Sequence, residues 1–167
     1  MNVKVKLAFK GLTLVIMIFF SINANSFEKG AVQLINSDHE TYSFFIEIAD
    51  TPSLRSQGLM FRDTLKTNHG MLFDFRAPTM VRMWMKNTII SLDMLFIHQD
   101  GHIVSIISNT VPFSEEILTS KKPVRWVLEL NNGITDQYNI NIGDKMIPYP
   151  NSSNSGYPKG NNSKLMK

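Results

Sequence analysis

Asp100 and Gly101 stand between two apolar runs, residues 92–98 (LDMLFIH) and 103–108 (IVSIIS). A two-residue hairpin turn needs positive φ at its central positions, which Asp tolerates and Gly adopts freely. The pair commits the middle of the chain to an antiparallel hairpin, and the rest of the fold must be built around it. The same punctuation recurs on either side. Residues 42–49 (YSFFIEIA), 71–75 (MLFDF), 80–86 (MVRMWMK) and 124–130 (VRWVLEL) are rich in β-branched and aromatic residues and are bounded by turn formers. A short run at 32–35 and a last one entered through a turn at 142–146 bring the count to about eight strands. Residues 27–31 read as a leader into the fold, and 77–79 as a turn. Along 124–130, Val124, Trp126, Leu128 and Leu130 share one face.

Helical signals are few. Asp50 or Thr51 can cap a helix that has Pro52 at its first position, and Gly58 ends it within two turns. A second short helix is expected over 134–138. The fold class is α+β and strand-dominated: a curled antiparallel sheet or partial β-barrel with one or two short helices.

The first residues carry an address. Lys4, Lys6 and Lys10 precede the apolar run 12–20, and small residues follow at 21–26. A basic, then apolar, then small pattern is that of a secretory signal, and the run is about half the 20 residues a spanning helix needs. We read residues 1–24 as a signal peptide, 27–148 as one domain and 149–167, made largely of Asn, Ser, Gly, Pro and Lys, as a disordered tail. The expected location is periplasmic or secreted, with membrane contact only through the signal segment before cleavage. The chain has 17 Lys and Arg against 14 Asp and Glu, but three of the lysines lie in the signal, which leaves 14 against 14. The apparent basicity belongs to targeting, so no nucleic-acid partner is expected. There is no cysteine, hence no disulfide, thiol nucleophile or lipid-bearing thiol.

Chemistry-bearing residues concentrate in 80–93. On a strand, Met80, Arg82, Trp84 and Lys86 face one way and Val81, Met83 and Met85 the other. An aromatic ring between two cations would make a floor for an anionic or ring-shaped ligand, with Asn87 and Thr88 at its end. The plainer alternative is that the cation stems only cover Trp84. Three methionines in six residues suit a soft metal, but the strand aims them apart, and methionine is a common core filler. The four histidines form no ligand pair of recognised spacing, and no nucleophile elbow or phosphate loop is present. No metal and no cofactor is expected. Asp93 and Glu129 each interrupt an apolar strand. Such an acid faces solvent or, in a closed sheet, needs Arg62, Arg82, Lys86 or Arg125 as partner.

Several strings in this order resemble one family, domain of unknown function 192 (DUF192), known from prokaryotic exported proteins. They are IADTP (48–52), GLMFR (58–62), GMLF (70–73), WMKNT (84–88), LDMLFI (92–97), the Asp100–Gly101 pair and VLEL (127–130). The similarity spans residues 44–146. It implies a small β-rich α+β domain without an established activity, and it singles out Arg62, Trp84, Lys86, Asn87, Thr88 and Asp93. The chain departs from the family pattern at Ser53 and Leu54, where relatives often carry acids, and around 110–122, where their segment is fuller. The expected function is a non-catalytic module binding an unknown small-molecule or protein ligand in the periplasm. Arg62 and Lys86 would hold an anionic group, Trp84 would stack, and Asn87, Thr88 and Asp93 would fix orientation. The alternative is a hydrolase or lyase acting on envelope carbohydrate through Asp93 with Lys86 or Arg62. A third reading makes the same residues a buried polar network that fixes the fold.

Overall fold

The computed structural model describes residues 26–148. The segments read as signal peptide (1–24) and tail (149–167) lie outside the described residues. Nine strands and two short helices follow in the order β1 (Glu28–Ile35), β2 (Thr41–Ala49), α1 (Pro52–Gln57), β3 (His69–Thr79), β4 (Arg82–Met83), β5 (Leu92–Ile97), β6 (Ile103–Ile107), β7 (Leu118–Thr119), β8 (Val124–Asn131), α2 (Ile134–Gln137) and β9 (Lys145–Pro148).

Seven strands form one sheet in the order β6-β5-β8-β3-β2-β1-β9, and β4 pairs with β7 in a two-stranded ribbon. Every pairing in the large sheet is antiparallel except β2 with β3, which run parallel because α1 carries the chain across between them. The sheet curls strongly into a half-barrel. Its two end strands meet through a single bridge, His102 to Lys145, supported by the Met146 N–H donating to the Gly101 carbonyl at 2.8 Å.

Alternation then sorts the side chains. Leu72, Leu95, Leu128 and Leu130 point to the inner face and join Val32, Phe44 and Met146 in one core. Met71, Phe73, Met94, Phe96 and Val127 point outward, where α1 and residues 80–90 cover them to make a second core. Strands β5 and β8 are therefore buried on both faces, which is why they read as nearly continuous apolar runs.

The structure corrects four local expectations. The leader at 27–31 is already strand from Glu28. The turn expected at 77–79 is the end of β3, where the register with β8 shifts between Asp74 and Thr79 and Arg76 takes φ +67°. Pro78, which has no N–H to give, is tolerated at such an irregularity. The strand expected over 80–86 survives only as Arg82–Met83, because its partner β7 is two residues long. The hairpin between β5 and β6 has a longer loop than two residues: Gly101 N–H donates to the His98 carbonyl, and His98 N–H to that of His102. Only Gly101, at φ +92°, is left-handed there. A Cβ at Gly101 would come within 2.5 Å of the Met146 carbonyl, so this glycine is also what lets the sheet ends meet.

Candidate functional site

The site is built on the outer core. Thr51 caps α1 by accepting the Leu54 N–H on its hydroxyl at 3.2 Å, and Pro52 follows at the first helical position. Gly58 closes the helix at φ +49°, its N–H donating to the Leu54 carbonyl at 2.9 Å. A Cβ there would meet the Phe73 ring at 3.2 Å, so glycine lets the chain turn tightly over β3. Leu59 is buried immediately after, and the Phe61 N–H donates to the Asn87 carbonyl.

Across from this turn run residues 80–90. The predicted alternation holds although the strand does not: Val81, Met83 and Met85 are buried, while Met80, Arg82 and Trp84 are exposed. The segment is tied down by Met85 N–H to the Ser114 carbonyl, Phe113 N–H to the Thr88 carbonyl and Thr88 N–H to the Met85 carbonyl. Phe61, Asn87 and Phe113 all have φ between +55° and +63°. Left-handed backbone at three non-glycine residues costs of order 1–3 kcal/mol each and persists where surrounding structure dictates it.

Between the Gly58 turn and the 82–88 segment opens a cavity of about 290 Å³. Leu59, Met60, Phe73, Phe75 and Met83 supply apolar wall, Arg55, Arg82, Trp84 and Thr88 supply polar groups, and Glu129 of β8 reaches it from the sheet. Glu129 is 4% exposed and lies in register between Met71 of β3 and Met94 of β5. No hydrogen bond or ion pair among the described residues engages its carboxyl, yet no side-chain oxygen there is both sealed and unpartnered. Its oxygens therefore face the cavity. Burial alone pushes the Glu129 carboxyl up to about 8, since loss of hydration disfavours the ionised form.

Of the residues singled out in the sequence, Trp84 and Thr88 line this cavity, and Lys86, outside its lining, lies over the Trp84 ring. The Lys86 ammonium lies 5.8 Å from the Trp84 ring centre and 3.5 Å from Glu115 Oε1. Asn87 holds the neighbouring turn, its carbonyl taking the Phe61 N–H and its amide reaching Met60 Sδ at 3.9 Å. Arg62 lies elsewhere. Its guanidinium forms two 2.7 Å bonds to Glu47, covers the Phe27 ring, and lines a second cavity of about 700 Å³ with Lys29, Lys66 and His69.

Asp93 also lies elsewhere and is fully buried. Its Oδ2 accepts the Thr135 N–H at 3.0 Å and the Thr135 hydroxyl at 2.7 Å, and its Oδ1 accepts the Asn109 N–H at 3.1 Å. Gly133 gives α2 no side-chain cap, so Asp93 does that work from a neighbouring strand. No cation from the set expected in the sequence meets either buried acid: Arg125 pairs with Asp74, and Arg82 shares the cavity with Glu129 without bonding to it. Glu129 was legible as a lone acid in VLEL, but not as a cavity residue. Among the described residues, no group of three His, Asp or Glu side chains could hold a metal ion.

The family model DUF192, described as an uncharacterized ACR, matches residues 33–147. Two crystal structures are similar to the fold. A protein from Sinorhizobium meliloti 1021, described as a candidate transcription regulator, is 46% identical over 74% of this chain and 95% of its own, with a TM-score of 0.73. A protein of unknown function from Novosphingobium aromaticivorans DSM 12444 is 35% identical over 70% of this chain and 83% of its own, with a TM-score of 0.68. No protein of curated function matches.

Proposed function

The chain belongs to the DUF192 family, and from that premise we propose that it is a non-catalytic module that binds a small molecule outside the cytoplasm, in the cavity between α1 and residues 82–88. One observation carries the reading: the carboxyl group of Glu129, a residue only 4% exposed, is unpartnered among the described residues and faces a cavity with an exposed Trp84 at its wall. Leaving a buried polar group unmatched costs about 1–3 kcal/mol, a cost that a ligand would offset. Apolar walls with a few convergent polar groups are the usual make-up of a ligand pocket. The signal-like pattern of residues 1–24 supports export, and N-terminal sequencing of the protein recovered from the cell envelope tests it.

A hydrolase or lyase acting through Asp93 has no comparable support, because that carboxylate is occupied by Thr135 and Asn109. Transcription regulation, the role in the Sinorhizobium relative's description, would call for a basic face if it were exerted by direct contact with DNA. Here all 14 acids but only 11 of the 17 bases fall within 26–148. A fragment screen by NMR tests the binding reading. Compounds that shift the Trp84 indole and the Met71 and Met94 methyls, and lose this on Trp84→Ala, are expected. A screen in which no compound shifts those signals removes the reading.

A further inference from the structure

Two kinds of ligand group would satisfy a lone buried carboxyl. An ammonium would draw it into its ionised form. A primary carboxamide, with N–H and C=O on the same side, would meet the neutral acid at two points, its carbonyl accepting the carboxyl O–H and its N–H donating to the carboxyl C=O. The surroundings of Glu129 decide between them.

The charged side chains that line the cavity with Glu129 are Arg55 of α1 and Arg82 of β4. Both oppose a cation. Arg55 is held in place, its Nη1 donating to the carbonyls of Asp50 and Asp74 at 2.8 and 2.9 Å and its guanidinium lying over the Phe75 ring. Arg82 is exposed and makes no ion pair among the described residues, so it is available to an anion arriving at the mouth. The strands beside Glu129 contribute no charge: β3 presents Met71 and Phe73, β5 presents Met94, and β8 places Val127 next on the same face. The 82–88 segment adds Met83 and Thr88, and the Thr88 hydroxyl already donates to the Lys86 carbonyl. Nothing in this lining favours bringing a positive charge inward.

We propose, resting on the small-molecule reading above, that the cavity takes a small ligand with a carboxamide at one end and an anionic group at the other. The amide pairs with Glu129 at the floor, the anion meets Arg82 at the mouth, and the connecting part lies against Leu59, Met83 and Trp84. The upward displacement of Glu129 to about 8 agrees with this, since the acid is then neutral at neutral pH and has a proton to donate.

The test uses the purified protein with ¹³C-labelled methionine methyls and three small probes: succinamate, propionate and glycine ethyl ester. Succinamate is expected to shift the Met71 and Met94 methyls saturably at pH 6. Its affinity should fall about tenfold at pH 9, the loss of neutral acid expected for a group titrating near 8. Glu129→Gln, which keeps a donor and an acceptor, should retain binding and lose the pH dependence. Arg82→Ala should weaken succinamate. Preference for glycine ethyl ester, or tighter binding at pH 9, overturns the carboxamide assignment. If all three probes fail while other fragments shift the same methyls, the ligand class is wrong and the pocket reading stands. If no compound shifts them, the pocket reading has failed as well.

Discussion

Asp93 and Glu129 lie on adjoining strands, one residue out of step, and point to opposite faces of the same sheet. Asp93 is in register with Leu130 and Met94 with Glu129, so the offset sends Asp93 to the inner face and Glu129 to the outer. Inside, Asp93 meets the uncapped start of α2 and is satisfied three times. Outside, Glu129 meets methionine, phenylalanine and a cavity. The same kind of side chain thus serves structure on one face and, in our reading, ligand binding on the other.

Removing the Asp93 carboxylate leaves the N–H groups of Thr135 and Asn109 without their acceptor, while the Thr135 hydroxyl keeps Ser108 Oγ at 3.2 Å. Asp93→Ala should lower stability by roughly 3 kcal/mol, the cost of unmatched buried donors. Urea denaturation measures it. A loss below ~1 kcal/mol would show that the carboxylate is not what anchors α2.

Glu129 should make stability fall as pH rises. Its folded-state pKa is about 8 against an ordinary 4.5, so in this window the unfolded chain releases a proton that the native state keeps. Stability is then unaffected below the ordinary value, declines by about 1.4 kcal/mol per pH unit between the two, and levels off above the higher one. Glu129→Gln removes the slope. Between pH 5 and pH 8 the wild type should lose on the order of 4 kcal/mol relative to the variant, as read from paired denaturation curves.

Arg62 and Glu47 should behave differently. The Arg62 guanidinium, by hydrogen bond and charge, holds the Glu47 carboxyl below its usual range, so the stabilisation is present at neutral pH and lost as pH falls through that lowered value. Both side chains are about one-third exposed, which limits the pair to about 1 kcal/mol or less. Arg62→Ala should cost that much in a melting experiment and leave ligand shifts at Met71 and Met94 unaltered. Lost shifts would put Arg62 in the site.

Gly58→Ala should cost about 1–2 kcal/mol, because φ +49° disfavours any Cβ and the Phe73 ring stands 3.2 Å from where it would lie. The Phe73 ring signals should move with it. An unstrained, equally stable variant would mean the turn has another conformation open to it.

What the sequence made legible was local. The caps of α1, the β5–β6 hairpin and the in-and-out pattern of residues 80–86 all follow from spacing along the chain, and the structure keeps them. The parallel pairing of β2 with β3 and the run of β3 past Pro78 depend on which strands become neighbours. Glu129 and Asp93 looked alike for the same reason. Each is an acid inside an apolar strand, and only the register of β5 with β8, together with what α1 and α2 cover, separates them.

In our reading Glu129, unpartnered among the described residues, is an acid held neutral at the floor of a ligand cavity. The most direct measurement is a ¹³C NMR titration of the Glu129 side-chain carboxyl in the folded protein. The midpoint should lie near 8, and the signal should shift when a ligand enters. A midpoint in the ordinary carboxylate range, with no response to any bound compound, would contradict it.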